Sequence, residues 1–261
     1  MGILNLTPDS FSDGGRYQNL DAALDAARHM VEQGADIIDV GGESTRPGAA
    51  VVSPEQEARR VLPFVFAARD LGIPISIDTR RALVAEQAIE AGAVIVNDVS
   101  AGRDPAMFDV VRNGGAALVL MHMRGVPKTM QGNTQYEDLI SEVVDHLGAR
   151  AEAAVSAGIR KDRIVLDPGV GFGKSAHGNL ELMCSLPSLV ELGYPVLVGA
   201  SRKSWLGKLF GQAPGQRMAG SVAAALYALR RGARILRVHD LGSTRRAVDV
   251  YWRLMSMESK S

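Results

Sequence analysis

Eight short apolar runs divide this chain, and each ends at or just before a polar residue. The polar residues that follow the runs are Asn5, Asp39, Asp78, Asn97, His122, Asp167, Ser201 and His239. A longer, alanine-rich stretch with helical periodicity follows most of them. Strand followed by helix, repeated eight times, predicts an α/β fold: a single (β/α)₈ TIM barrel with the active site at the C-terminal ends of the strands.

The stretches between the runs carry helix start and stop signals. Predicted helices span residues 20–33, 54–71, 81–91, 105–113, 136–157, 179–192, 218–231 and 243–255. Ser53 before Pro54 is a capping residue followed by proline at the first helical position. A glycine follows seven of the helices shortly before the next strand. This rhythm favours the barrel over an all-α fold or a β-sandwich.

Length and composition narrow the class of protein. The 261 residues are close to the typical ~250 of one barrel, which predicts a single domain over residues 1–261. The 29 Lys and Arg balance the 29 Asp and Glu, so we expect no nucleic-acid or membrane partner. The lone Cys184 predicts a cytoplasmic protein without disulfides, and we expect this cysteine to be buried. Because Met1 stands at the head of the first strand, a segment that closes the barrel bottom would have to precede it.

Hydrogen-bonding side chains end three of the predicted strands. Asp78 and Asp167 end two of them, and Asn97 with Asp98 ends another. Strand ends in a closed barrel point toward one mouth, so we expect these groups to converge. Carboxylates accept paired N–H bonds and an amide both donates and accepts, which suits the edge of a flat, amino-bearing heterocycle. The alternative is that Asp167 only makes a turn with Pro168-Gly169 and that Asp98 only caps a helix.

Cationic side chains end the last predicted strand, at Arg237 and His239. Phosphate sites in barrels frequently use the loops after strands 7 and 8, and residues two apart on a strand share one face. The sequence therefore predicts an anion site formed by this pair, with Asn5 arriving from the first strand. The alternative is structural ion pairs with Asp240 and Asp249.

Two polar, glycine-rich loops, residues 5–15 and 41–48, lack the spacing of a P-loop or a dinucleotide fingerprint. The single aromatic in the first loop suits a closing lid. Asn5 with Asp9 or Asp13 offers only hard oxygen ligands, which favours Mg²⁺ over Zn²⁺.

The histidines allow two interpretations. His122 is either a general base or a core histidine with satisfied hydrogen bonds. The others that lie on predicted helices or at their edges, His29, His146 and His177, are expected at the surface.

Seven motifs in order along the chain resemble those of the dihydropteroate synthases, the folate-pathway enzymes that sulfonamides target. The motifs are residues 2–15, 42–48, 76–79, 96–99, 166–174, 201–204 and 237–239. Each is weak alone, but together, in this order and spacing, they are specific. The resemblance implies an enzyme that condenses 4-aminobenzoate with 6-hydroxymethyl-7,8-dihydropterin diphosphate, releasing pyrophosphate and forming 7,8-dihydropteroate. It also implies Mg²⁺ as cofactor, inhibition by sulfonamides and a homodimer.

The resemblance also assigns roles to residues. The pterin would be held by Asp78, Asn97, Met121, Asp167, Phe172 and Lys203. The diphosphate would be held by Asn5, Thr45, Arg237 and His239, with Asn5 also a ligand of Mg²⁺. The 4-aminobenzoate pocket would be formed by Phe11, Arg46, Pro47 and Ser204. The catalytic residues would be Lys203, Arg237, Asp13 and Asn5.

Three alternatives remain open from the sequence. A methyltransferase that uses methyltetrahydrofolate and a corrinoid partner would share Asp78, Asn97 and Asp167, but it would not explain the two loops. An aldolase would form a Schiff base at Lys203. A pterin-binding protein that has lost catalysis is the alternative outside the enzymes.

Overall fold

The computed structural model describes residues 1–6, 16–44, 52–126 and 129–258. Its central strands are β1 Gly2–Asn5, β2 Ile38–Gly41, β3 Ile75–Asp78, β4 Ile95–Asp98, β5 Ala117–Met121, β6 Ile164–Asp167, β7 Leu197–Val198 and β8 Ile235–Leu236. The first six strands form one parallel sheet in which each strand pairs with the next one along the chain, from β1 through to β6. The strands β7 and β8 pair in parallel as a second sheet. Isolated parallel bridges, Leu166 with Val196 and Gly2 with Val238, connect these two sheets at both edges. The ring is thereby closed, and the predicted barrel is confirmed.

Helices follow the strands around the ring. They are α1 Arg16–Glu32, α2 Pro54–Ala68, α3 Ala82–Ala91, α4 Met107–Gly114, α5 Leu139–Ser156, α6 Ala176–Cys184, α7 Leu186–Val190, α8 Ser204–Phe210, α9 Met218–Arg230 and α10 Leu241–Glu258. Short 3-10 turns occupy Arg69–Leu71, Met130–Gly132, Lys161–Arg163 and Pro214–Gln216. Ser53 caps α2 as predicted, because its Oγ accepts the Gln56 N–H at 3.2 Å.

Two features of the helices differ from the prediction. The predicted helix 179–192 is two helices, and the second starts with Pro187 in its first turn. Proline lacks an N–H and is tolerated best in the first turn of a helix, so its position fits the start of a second helix here. The helix α8 lies between the predicted helices 179–192 and 218–231, in a stretch where no helix is predicted.

Alternation along the strands separates two packing surfaces. On β3, Ile75 and Ile77 belong to the core shared with the helices, so Ser76 and Asp78 face the other way. The barrel interior holds a small aliphatic cluster that includes Val119 and Leu197. The inner face carries the polar side chains Asp78, Asn97 and Asp167 at or near the ends of their strands. Asp39 lies one layer deeper, because it pairs in register with Ser76, while Gly41 pairs with Asp78. The pleat therefore turns all four side chains toward the barrel interior and places the first three at its mouth.

Cys184 is exposed at the end of α6, so the prediction that it is buried is wrong. The helix turns this residue toward α9, where the Tyr227 hydroxyl lies 3.4 Å from its Sγ. None of the described helices is long and apolar enough to cross a membrane.

Candidate active site

A pocket lies at the C-terminal ends of the strands. Its walls are formed by Asp78, Asn97, Val99, Met121, Asp167, Val170, Phe172, Gly199, Lys203 and Arg237. The structure thus brings together every residue that the sequence assigns to the pterin. It adds Arg237, which the sequence assigns to the diphosphate.

Arg237 is held between two carboxylates. Its Nε lies 2.6 Å from Oδ2 of Asp39, and one Nη lies 2.6 Å from Oδ2 of Asp78. Asp240 and Asp249 instead pair with Arg202 and Arg245, so Arg237 does form structural ion pairs, but with other acids than the alternative named. The sequence analysis assigned no role to Asp39, although the residue ends an apolar run like its neighbours.

The other predicted anion ligands lie on neighbouring strands. His239 follows β8, and its backbone N–H donates to Ser201 Oγ at 3.2 Å, the same distance as from its Nδ1 to that oxygen. Asn5 is the last residue of β1. The bridge between Gly2 and Val238 places β1 beside the segment that follows β8. Both side chains are half-buried.

Burial dominates the protonation of the pocket. It raises the pKa of Asp78 to about 7, although the charge of Arg237 acts to lower it. It also raises the pKa of Asp167, although the hydrogen bond from the Gly169 N–H acts to lower it. Burial, with Arg237 adding to it, lowers the pKa of Lys203 to about 8. Burial also acts to lower the pKa of Arg237, but the neighbouring carboxylates, Asp39 first, raise it above its ordinary value. The pocket is therefore a compact set of opposed buried charges.

A strained turn presents Lys203 to the pocket. The preceding residue, Arg202, has a φ of 56°, which is rare for a residue other than glycine. Its backbone N–H donates to Ser221 Oγ at 2.8 Å, and its guanidinium makes two bonds to Asp240. The Lys203 Nζ lies 3.9 Å from the Phe172 ring centre. The anchored turn therefore fixes where the lysine emerges.

Asp167 both makes a turn and lines the pocket. Its Oδ1 accepts the Gly169 N–H at 2.7 Å. Asp98 lies outside the pocket wall, and its oxygens accept the N–H groups of Ser100 and Gly102 in the loop after β4. The alternative that it caps a helix is wrong, because α4 begins only at Met107. For Asp167, the turn is present, but it is not the residue's only contribution to the site.

Lys174 organises the segment behind Phe172. It is 2% exposed, and its Nζ lies 3.0 Å from the carbonyl oxygens of both Gly169 and Phe172 and 2.9 Å from His122 Nδ1. Burial and then Lys174 lower the pKa of His122 to about 2, so His122 is the core histidine of the two interpretations. His146 is half-buried with its ring 5.2 Å from His122, which corrects the prediction of a surface position.

Lys174 gives a testable pH dependence of stability. Burial lowers its pKa from 10.5 to about 7, so between these values the folded protein binds fewer protons than the unfolded chain. The sign follows: its contribution to stability rises with pH across that window and is lost as pH falls toward 7. We expect the unfolding free energy of wild type, relative to Lys174→Met, to rise by about 2 kcal/mol from pH 7 to pH 9.

Urea unfolding at the two pH values measures this difference. Lys208→Met, at an exposed position of α8, is the control, and it should show no such change. A pH-independent difference for Lys174→Met would mean that this lysine is charged in the folded protein throughout the range.

Five predicted site residues lie outside the described residues. They are Phe11, Asp13, Thr45, Arg46 and Pro47. Ser204 is described, and it is exposed as the first residue of α8, next to Lys203.

The site and the barrel are those of a pterin-binding enzyme, and the model of the pterin binding enzyme family matches residues 1–239. A dihydropteroate synthase of Neisseria meningitidis serogroup B is 50% identical over 258 residues, covering 96% of this chain and 90% of the relative. The structure of Xanthomonas albilineans dihydropteroate synthase with 4-aminobenzoic acid superposes with a TM-score of 0.92 at 47% identity, covering 98% and 92% of the two chains. A Yersinia pestis dihydropteroate synthase solved in a sulfonamide drug complex has a TM-score of 0.92 at 45% identity, covering 98% and 94%. The chain belongs to the pterin-binding enzymes and, among them, to the dihydropteroate synthases.

Proposed function

We propose that this transferase joins 4-aminobenzoate to 6-hydroxymethyl-7,8-dihydropterin diphosphate, which forms 7,8-dihydropteroate. The amine nitrogen forms a bond to the pterin methylene carbon, the carbon–oxygen bond to the diphosphate breaks, and the amine loses one proton. The observation that carries the proposal is the pocket in which two carboxylates, an amide and two cations converge. The Xanthomonas relative, which holds 4-aminobenzoic acid, supports the second substrate.

The pocket suits a pterin ring in both polarity and shape. Asp78 and Asp167 offer buried acceptors to ring N–H and amino groups, and Asn97 offers a donor and an acceptor. Met121 and Phe172 supply apolar contacts for the ring faces. Placed polar groups beside apolar contact surfaces fix the orientation of a small ligand.

Stabilisation of the leaving group is the main catalytic demand. Departure of pyrophosphate leaves positive charge on the pterin methylene carbon, so cations fixed near the diphosphate lower the barrier. We assign this role to Arg237, Lys203 and His239, together with Asn5. The aniline nitrogen is already neutral, so the reaction needs positioning rather than a covalent intermediate or a strong base.

Asn5 also fits the proposed Mg²⁺. The described residues contain no group of three or more His, Cys, Asp or Glu side chains placed to hold a metal. Mg²⁺ usually binds one or two protein oxygens together with substrate phosphates and water, so one amide oxygen beside the diphosphate is sufficient. When bound, the ion would neutralise charge on the leaving pyrophosphate.

The 4-aminobenzoate is assigned to the side of Ser204. This residue starts α8 beside Lys203, so a ligand there would meet the pterin methylene across the lysine. Phe11, Arg46 and Pro47 complete the proposed pocket, and Asp13 is its proposed catalytic loop residue. Sulfonamides resemble 4-aminobenzoate in shape, and the Yersinia relative forms a sulfonamide drug complex, so we assign them to the same place.

We further propose that residues 1–261 act as one domain, in a cytoplasmic homodimer. An apolar stripe on α10 supports the dimer, because Val250, Leu254 and Met257 are exposed and their spacing places them on one helix face. Such stripes mark interaction surfaces, and most homo-oligomers are closed twofold dimers. Analytical ultracentrifugation of the wild type and of Leu254→Glu measures the state, and an unchanged sedimentation coefficient would contradict this interface.

The test of the proposed function is pyrophosphate release. We expect release only when the pterin diphosphate, 4-aminobenzoate and Mg²⁺ are all present, because the amine is the acceptor and the metal neutralises the leaving group. Omission of each component in turn is the control. Methyl transfer from methyltetrahydrofolate without pyrophosphate release would favour the methyltransferase, binding without turnover would favour the silent protein, and full activity in excess chelator would exclude the metal.

Lys203→Ala separates the synthase from an aldolase. We expect kcat/KM for pterin diphosphate to fall about 100-fold, because a buried donor and point charge is lost from the pocket. Borohydride with a carbonyl substrate should trap no adduct on the wild-type protein, as mass spectrometry will report. Lys208→Ala, on the helix α8 that follows Lys203, is the matched control and should keep wild-type kinetics. An adduct at Lys203 would assign the site to Schiff-base chemistry instead.

A further inference from the structure

We infer that Asp39 is a positioning residue that fixes a pterin-binding group and a diphosphate-binding group with one carboxylate oxygen. The inference rests on the proposed function and extends it to a residue outside the pocket wall. It is carried by the geometry of the charges beneath the pocket.

The contacts of Asp39 converge on one of its oxygens. The residue lies in β2 with 0% exposure, and its Oδ2 accepts from Arg237 Nε at 2.6 Å and from Asn97 Nδ2 at 3.1 Å. Its Oδ1 is buried and has no hydrogen-bond partner among the described residues. The carboxylate therefore joins one group of the proposed diphosphate site to one group of the proposed pterin site.

The orientation of Asn97 depends on this bond. An amide can rotate by half a turn with little change in shape, so an acceptor for the Nδ2 selects one orientation. With Nδ2 donating to Asp39, the carbonyl oxygen of Asn97 is left to accept from a ligand. Asp39 thus determines which end of the amide is offered to the pterin.

The orientation of Arg237 depends on the same oxygen. Asp39 and Asp78 accept hydrogen bonds from two different nitrogens of the guanidinium, which fixes the plane of the group. Within the described part of the chain the third nitrogen has no such bond, so it can donate to a ligand. Without Asp39 a single carboxylate would remain, and the guanidinium could turn about that one bond. Loss of Asp39 should therefore disturb both substrate halves together.

If Asp39 served only as a counter-ion of Arg237, its loss would have the opposite effect on the binding of anions. Asp39→Asn removes a negative charge close to the diphosphate site, so electrostatics alone would tighten pyrophosphate binding. A positioning role weakens it, because Arg237 is no longer held in place. The direction of the change in Kd therefore distinguishes the two roles.

The experiment is calorimetric titration of pyrophosphate with Mg²⁺ into wild-type, Asp39→Asn and Asp98→Asn proteins. Asp98 is the matched control, since it is also a fully buried carboxylate on a barrel strand but bonds only a loop. We expect Asp39→Asn to weaken pyrophosphate about tenfold and to lower kcat/KM for pterin diphosphate about 100-fold. The KM for 4-aminobenzoate should stay within about twofold, and Asp98→Asn should keep wild-type values for all three.

Equal or tighter pyrophosphate binding by Asp39→Asn would overturn the inference. If Asp39→Asn does not fold, Asp39→Ser takes its place with the same expected results, and failure of both to fold beside a folded Asp98→Asn would also overturn it, in favour of a purely structural role. Absence of turnover by the wild-type protein would instead refute the proposed function, so the two failures are distinguishable.

Discussion

Asp167→Asn is expected to weaken the binding of pterin diphosphate about 100-fold and to leave the KM for 4-aminobenzoate within about twofold. One oxygen of Asp167 accepts the Gly169 N–H at 2.7 Å, so the second oxygen is the one available to a ligand. The substitution puts a donor where the ring presents a donor. A mispaired buried group of this kind costs roughly 3 kcal/mol, which corresponds to that loss of affinity.

Calorimetric titration with pterin diphosphate measures the effect. Asp138→Asn is a control for the chemical change alone, because Asp138 caps α5 by accepting the Ser141 N–H and lies far along the chain from the pocket. Affinity for pterin diphosphate equal to that of wild type would show that Asp167 serves its turn and nothing else.

Arg237→Leu is expected to abolish measurable turnover and to lower the unfolding free energy by about 3–5 kcal/mol at pH 8. The substitution leaves Asp39 and Asp78 buried without their shared cation. Burial already raises the pKa of Asp78 to about 7 with Arg237 present, and removal of the arginine raises it further. A carboxyl group whose pKa is raised on folding stabilises the protein at low pH, and this contribution is lost as pH rises through the folded pKa. The deficit of the variant should therefore shrink as pH falls from 8 to 6.

Urea unfolding of both proteins at these two pH values provides the measurement. Arg245→Leu is the control, since Arg245 on α10 pairs with the exposed Asp36 and Asp249 and its loss should cost less than about 1 kcal/mol. A loss for Arg237→Leu that is the same at both pH values would show that the charge of Asp78 does not depend on the arginine.

Most of the pocket could be predicted from the sequence because its residues end apolar runs. Asp78, Asn97 and Asp167 follow hydrophobic strands, and strand alternation alone turns them toward the barrel mouth. The partner of Asp39 could not be predicted in this way. It is Arg237, 198 residues further along the chain, and only closure of the ring brings the two together.

Other features could not be predicted because they depend on contacts between segments that are brought together only by folding. Lys174 is an isolated lysine in a glycine-rich stretch, and its carbonyl partners exist only once the segment 169–174 has curled around it. Cys184 has the composition of a core residue but lies on the outer side of its helix. The break before Pro187 did have a signal in the sequence, because proline is favoured in the first turn of a helix.

The two sheets of the barrel divide the site unequally. The neutral and anionic groups that would recognise the ring end β3, β4 and β6, which belong to the continuous six-stranded sheet. Lys203, Arg237 and His239 follow β7 and β8, which have two residues each and join the rest through single bridges. Amide hydrogens of that shorter sheet should exchange with solvent through smaller openings, because fewer ladder bonds hold them. We therefore expect the groups that bind the ring to lie on the part of the barrel whose amides exchange slowly. The cations that bind the leaving anion would lie on the part that opens at a lower free-energy cost.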